Sequence, residues 1–364
     1  HSQVNRFTIE SRGVFIGVIP KWQDYNNEKS IYHINFKFVS VDDTWWCEKG
    51  RTIAFEQFTK SGTSITVSDS GDTYSGTEVE GNGLFVVTFK EYIYKISKVH
   101  GQVISIQYKG QELLEEPLRP NFWRVPTDND FGLSNFVPWL KRFYIDDGLK
   151  ISPLKARVKL FDVQEVEGKL VVNIKMKMKK FKGDFLIHYA IDGDGSLEVS
   201  YSGTAKKELS RFGATMLLKA SYNEVRWFGR GPVENYCDRK TGSPVGVYTL
   251  PIDDFIHGYV RPMENGNRTD VYWMSLSETG GLEVLVEAMD QPLEMSAWPY
   301  SFDDLEGATH IHEQSKYAST TLNVDHRQKG VGGDYPGELN LKEKYRLTKD
   351  QTYTYRFKLT FFKE

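Results

Sequence analysis

Val171-Val172-Asn173-Ile174-Lys175-Met176-Lys177-Met178, with Lys179 after it, alternates apolar and basic residues with a period of two. In extended chain, successive side chains point to opposite faces, so Ile174, Met176 and Met178 share one face while Lys175, Lys177 and Lys179 share the other. That is the pattern of a strand in a sheet with one buried and one wet side. The same reading extends outward to Ile31–Val39, Leu186–Ile191, Leu197–Tyr201, Tyr272–Leu276, Leu282–Ala288 and Tyr353–Phe361, all of which alternate or run apolar. Turn-forming Asp192-Gly193-Asp194-Gly195 and Glu278-Thr279-Gly280-Gly281 each separate two of these runs and predict antiparallel hairpins. The expected fold class is all-β, a layered antiparallel sandwich. Helical signal is confined to short pieces such as Pro138–Phe143, too short for a crossover between parallel strands, and the alternation needed for a (β/α)8 barrel is missing.

The length of 364 residues suits one large domain and part of another. The Ser-, Thr- and Gly-rich stretch 61–83 divides an aromatic block ending at Phe58 from the strand-like Leu84–Phe89, which predicts a boundary near residue 62. About 60 residues make a marginal independent domain, so 1–62 is expected to be part of a sandwich cut at its start, with 63–364 as the main domain. Lys plus Arg (46) nearly balance Asp plus Glu (49), for a formal charge of −3. No broad basic field exists to attract nucleic acid or anionic lipid, and the longest apolar runs fall well short of the roughly 20 residues of a membrane helix. Two distant cysteines, Cys47 and Cys237, have neither metal-ligand spacing nor the density of a disulfide-stapled domain. The first six residues carry no apolar leader, which leaves the compartment, cytoplasmic or periplasmic, open.

Four segments carry a resemblance. Arg119 to Gly132 (RPNFWRVPTDNDFG), Trp227 to Arg239 (WFGRGPVENYCDR), Arg261 to Gly266 (RPMENG) and Val324 to Asp334 (VDHRQKGVGGD) are similar, in this order, to segments of the small-chain region of family 2 β-galactosidases. The match covers about residues 63–364, and Asp43–Trp46 with Ile53–Phe58 resembles the end of the immunoglobulin-like domain before it. The resemblance implies a large antiparallel supersandwich of the galactose-mutarotase kind, preceded by a partial immunoglobulin-like β-sandwich. It also implies that the catalytic glutamates lie on a barrel domain outside this sequence, so that no catalytic residue is expected in this chain. The partners implied are that barrel and a β-galactoside sugar, with room for a homo-oligomer. No cofactor is expected here, since the Mg and Na often used by the family bind outside this region. A stand-alone carbohydrate-binding or mutarotase-like module is the alternative.

Glu234 and Glu264 sit among Gly, Pro and Asn, where a carboxylate commonly accepts backbone N–H bonds. With Asp128, Asn129 and Asp130, whose side chains suit Asx-type turns, they are expected to fix loops. His310 and His312, two apart in a strand-like run, would share one sheet face as packed or solvated side chains. The resemblance puts Gly132, Leu133, Ser134 and Asn135 in a mobile loop beside the active site, with a glycine hinge. It puts Asp334, Tyr335 and Gly337 in a second substrate-side loop. Many family members carry a sugar-stacking tryptophan where Gly337 stands, leaving Tyr335 as the nearby aromatic.

Overall fold

The computed structural model describes residues 31–60, 73–81, 83–131, 147–219, 222–278, 281–316, 318–332 and 341–363. The chain divides into two compact units, 1–64 and 65–364. In the first, Tyr32–Val39 and Thr52–Lys60 pair antiparallel as a two-stranded sheet. Its aromatic side chains are largely exposed, Trp45 reaching 96 % and Phe38 and Phe58 exceeding half.

In the second unit the described strands form two large antiparallel sheets. The nine-stranded sheet runs Val245–Pro251, Glu224–Arg230, Trp273–Ser277, Leu282–Ala288, Thr352–Lys363, Leu197–Ala205, Phe181–Ile191, Lys169–Lys177, Arg157–Val166. Alternation survives in it strictly: Ile174, Met176 and Met178 are buried while Lys175, Lys177 and Lys179 are exposed. The two predicted hairpin turns join Phe181–Ile191 to Leu197–Ala205 and Trp273–Ser277 to Leu282–Ala288. The ten-stranded sheet runs Arg268–Val271, Leu293–Trp298, Thr320–Gln328, Arg211–Leu218, Leu114–Asn121, Val103–Tyr108, Tyr92–Ser97, Leu84–Phe89, Thr77–Gly81, with Gln111–Glu112 pairing off this path.

The sheets face each other across one apolar core that draws on both. Phe122 packs on Phe181 with ring centroids 4.5 Å apart, and Phe212 on Tyr355 at 5.9 Å. Buried tyrosines also bridge the layers through their hydroxyls. Tyr92 donates to the Phe361 carbonyl at 2.5 Å, Tyr94 to Gly195 at 2.5 Å, Tyr189 to Gly101 at 3.0 Å and Tyr355 to Val324 at 2.9 Å. Each ring fills core volume while its polar end finds a carbonyl of the opposite layer.

The central strands of the ten-stranded sheet behave differently. Arg211–Leu218 and Leu293–Trp298 are buried at every position. Phe212, Ala214, Met216, Met295, Ala297, Leu322 and Val324 enter the apolar core. The opposite face is polar, and the pairing aligns Asn121, Gly213, Asp325 and Glu294 as one row across four strands. A second row is Arg119, Thr215, Asn323 and Ser296.

His310 and His312 depart from expectation. Ile311–Glu313 is a short 3-10 turn instead of a strand, held by the Glu313 carboxylate, which accepts from the Thr309 and His310 backbone at 2.7 and 3.2 Å. That closure outcompetes extension, and the exposed histidine rings stack at 5.5 Å. The run Pro138–Phe143 lies outside the described residues.

Replacing Tyr355 by Phe should lower stability by about 1 kcal/mol through loss of the cross-layer hydrogen bond, whereas changing exposed Thr354 to Val should stay within about 0.5 kcal/mol; urea unfolding at constant slope measures both.

Candidate functional site

The four segments singled out in the sequence converge on the polar face of the ten-stranded sheet. The first turns at Pro126 into the one-turn helix Asp128–Phe131. Thr127 N–H donates to Asp130 Oδ2 at 3.0 Å and Asp130 N–H to Thr127 Oγ1 at 3.3 Å, a reciprocal cap that closes the turn. Asp130 then binds the fork of Arg124, with Nε at 2.9 Å from Oδ2 and Nη2 at 2.9 Å from Oδ1, and Lys329 Nζ at 3.0 Å. Burial alone would raise the pKa of Asp130, but the charges of Arg124 and Lys329 and the bonds from Arg124 and Thr127 hold it far below the carboxylate range. The remaining Arg124 donors reach the carbonyls of Lys329, 2.7 Å from Nη1, and Gly330, 3.0 Å from Nη2. A lysine offers no such fork.

Beneath this lies a second buried network, centred on Arg211. Its Nη2 donates to Glu264 Oε1 at 2.6 Å, and its Nε lies 3.1 Å from Asp325 Oδ2. All three side chains are sealed from solvent. Gln328 Nε2 touches Glu264, Asn267 and Asp325 at 3.2, 3.2 and 3.3 Å. Glu294 accepts from Asn267 Nδ2 at 3.0 Å and from the Gln328 N–H at 3.2 Å. Gly213 is required by space here, since a Cβ would stand 1.8 Å from Asp325 Oδ1.

One guanidinium thus serves two carboxylates, and a third is their cross-strand neighbour. Burial raises the pKa of Asp325 strongly, Glu264 and Glu294 add to the effect, and Arg211 opposes it. Glu264 is raised by burial against the pull of Arg211 and Arg124. Glu294 is pushed up to about 7, chiefly by burial.

Glu234 joins the second and third segments. One oxygen accepts from Arg239 at 2.5 Å and from the Tyr259 hydroxyl; the other accepts from the Gly266 N–H at 2.8 Å. Asn235 Oδ1 accepts from Thr269 N and Oγ1 at 2.9 and 2.6 Å. Asp128 is exposed at the start of its helix, and Asn129 Nδ2 donates to the Val331 carbonyl at 2.6 Å.

Asp128, Asn129 and Asp130 are therefore brought beside the 329–332 strand end, while Glu234 and Glu264 lie on adjoining parts of the same face. Gly132, Leu133, Ser134, Asn135, Asp334, Tyr335 and Gly337 lie outside the described residues. The described chain stops at Phe131 and Gly332, which are the bases of those two stretches. A small, water-sized recess is lined by Asn129, Asp130, Glu208, Lys329, Gly330, Val331, Gly332 and Leu341. Sequence reasoning missed Arg124, Arg211, Asp238, Glu294, Asp325 and Gln328. Arg124, Asp238, Asp325 and Gln328 stood inside the recognised segments, and a polar residue repeated inside a buried strand end was the available signal. Among the described residues no group of three or more His, Cys, Asp or Glu side chains is arranged to hold a metal ion. Chemically, the face is a fixed ionic scaffold.

Residues 88–359 match the family described as the beta galactosidase small chain. The β-galactosidase of Priestia megaterium (strain DSM 319 / IMG 1521) is 28 % identical over 342 residues, covering 92 % of this chain and 32 % of that protein. That of Halalkalibacterium halodurans is 29 % identical over 338 residues, covering 91 % and 32 %. The chain spans about a third of the length of these curated relatives. Among solved structures, a galactose 1-epimerase from Lactobacillus acidophilus NCFM aligns with a TM-score of 0.46 and 9 % identity, over 80 % of this chain and 98 % of that one. At that TM-score it adds nothing to what the strand pairings say of the fold.

Arg211→Met should destabilise the chain by about 3–5 kcal/mol, because Glu264 and Asp325 stay buried without their shared cation; thermal unfolding measures it. Glu294 gives a pH signature. Its folded pKa of about 7 exceeds the ordinary 4.5, so the folded state holds the extra proton and stability falls as pH rises from 4.5 through 7. Glu294→Gln should match the parent at pH 4.5 and exceed it at pH 8.5 by on the order of 3 kcal/mol, read from unfolding midpoints across that range.

Proposed function

This chain belongs to the β-galactosidase small-chain family, and on that footing we propose that it is the C-terminal, all-β part of a family 2 β-galactosidase, which hydrolyses terminal β-galactosides. The observation that carries the reading is the fate of its buried acids. A retaining glycosidase needs two carboxylic residues about 5–5.5 Å apart and open to the sugar. Glu264 and Asp325 are sealed behind Arg211, Asp130 is held by Arg124 and Lys329, and both oxygens of Glu234 are taken by Arg239, Tyr259 and the Gly266 N–H. Each carboxylate holds backbone or a cation in place. In this reading the acid/base and nucleophile glutamates stand on a barrel elsewhere in a longer polypeptide, and this chain alone is inactive. Its contribution is a wall of the substrate site, at the Phe131 and Gly332 ends, together with contacts that assemble the enzyme.

The first unit supports the same arrangement. Among its described residues the unit offers two strands, marginal by themselves, and aromatic side chains as exposed as Trp45, Phe38 and Phe58 call for cover. We read it as part of an immunoglobulin-like sandwich completed by further strands of the longer enzyme.

A chromogenic β-galactoside assay tests the proposal. The chain by itself should give no turnover above background, and mixing it with the polypeptide that carries the barrel should restore hydrolysis. Turnover by the isolated chain would overturn the reading, and calorimetric binding of galactose without a partner would favour an independent sugar-binding module.

A further inference from the structure

Val331 has both main-chain polar groups taken by side chains from distant parts of the sequence. Its N–H donates to Asp238, 3.1 Å from Oδ1 and 3.0 Å from Oδ2, and its C=O accepts from Asn129 Nδ2 at 2.6 Å. The Gly332 N–H donates to Asp238 Oδ2 at 2.7 Å. One residue earlier, the Gly330 N–H donates to the Tyr345 carbonyl at 2.9 Å, and its C=O accepts from Arg124. Gly330 must lack a side chain, because a Cβ would stand 2.6 Å from Asp238 Oδ2 and 2.7 Å from Leu341 Cδ1. Residues 329–332 therefore hang from three side chains: Arg124 and Asn129 on one segment, Asp238 on another.

Both mounts are stiff. Asp238 is carried by a tight turn in which Tyr236 and Arg239 exchange N–H···O bonds at 3.3 and 2.8 Å, and Arg239 is pinned by Glu234. Asn129 lies in the one-turn helix that Asp130 caps and Arg124 grips. A carboxylate that accepts from two successive N–H groups does for a strand end what a cap does for a helix: it sets the direction in which the chain departs.

We infer that Asp238 is a positioning residue that acts with Asn129 through the main chain of Val331, so that Gly332 and Phe131 are held as one unit. This rests on the reading that both departures face the substrate. Neither side chain needs to touch the sugar. A rigid pair of bases fixes Phe131 and Gly332 relative to each other, which is where positioning contributes to rate.

The test uses the assembled enzyme carrying Asp238→Asn, Asn129→Ala or both, with lactose and an aryl β-galactoside as substrates. Asparagine keeps the shape of Asp238 but sets an NH2 group in place of one oxygen against the Val331 N–H and removes the negative charge that two N–H groups share, and both sites are only partly buried. Each single variant should lower kcat/KM by about tenfold, and the double variant should be no worse than the poorer single, because the two act on one residue. Amide hydrogen exchange supplies a readout independent of activity. Asp238→Asn should speed exchange at residues 129–131, and Asn129→Ala at Gly332. Additive kinetic losses, or exchange changes confined to the segment touching the mutated residue, would overturn the lock. So would unchanged kinetics accompanied only by a lower Tm. Replacing residues 334–337 with Gly and Ser separates the two readings. If that leaves kinetics untouched, the substrate-wall reading falls and exchange alone decides the lock; if it alters kinetics while Asp238→Asn does not, the positioning role of Asp238 falls.

Discussion

Arg211 carries a full charge in the middle of a sheet with no solvent within reach. Removing a guanidinium from water costs several kcal/mol, and only well-placed carboxylates offset that cost. Glu264 supplies one and Asp325 the other, the first from a loop and the second from the neighbouring strand. The loop is thereby bound to the sheet by electrostatics that leave little tolerance for drift. Gln328 and Asn267 extend the same constraint to Glu294, so one buried cation organises polar groups drawn from two strands and a loop. Burial raises the pKa values of Asp325 and Glu294 by more than their partners lower them.

This arrangement gives the two sheets different chemistry. The nine-stranded sheet is amphipathic in the ordinary way, with apolar residues inward and mostly polar or charged ones outward. The middle of the ten-stranded sheet has two interiors. One side shares the aromatic core; the other is packed with Thr215, Asn323, Ser296, Asp325 and Glu294, roofed by loops. Arg268, on the edge strand opposite Met295, is a charge buried against the apolar core instead: it stands over the faces of Phe255 and Trp227 at 4.1 and 5.1 Å and donates to three carbonyls. Burial lowers its pKa to about 10.

The same difference decides what a reader of the sequence can see. Strands with a wet face announce themselves by alternation, and Val171–Met178 and Leu282–Ala288 are legible residue by residue. Arg211–Leu218 is not, because both faces are buried and the sequence RFGATMLL places a charge and a glycine where a core strand is expected to be aliphatic. The glycine makes sense only when Asp325 is seen lying across it. At the site, the four segments are legible as segments, and Asp128, Asn129, Asp130, Glu234 and Glu264 stand out in them. Their surroundings do not, because Arg211 reaches Glu264 across the fold and Glu294 joins the network through Asn267 and Gln328, contacts that a linear reading cannot supply.

The bonds that hold residues 329–332 are made almost entirely to main-chain atoms: carbonyls of Lys329, Gly330 and Val331, and N–H groups of Val331 and Gly332. Main-chain acceptors and donors are the same whatever side chain is attached, apart from the glycine that Asp238 demands at 330. The root at Gly332 is consequently held whatever side chains follow it, since its fastening depends on main-chain atoms and on the side chains of Arg124, Asn129 and Asp238.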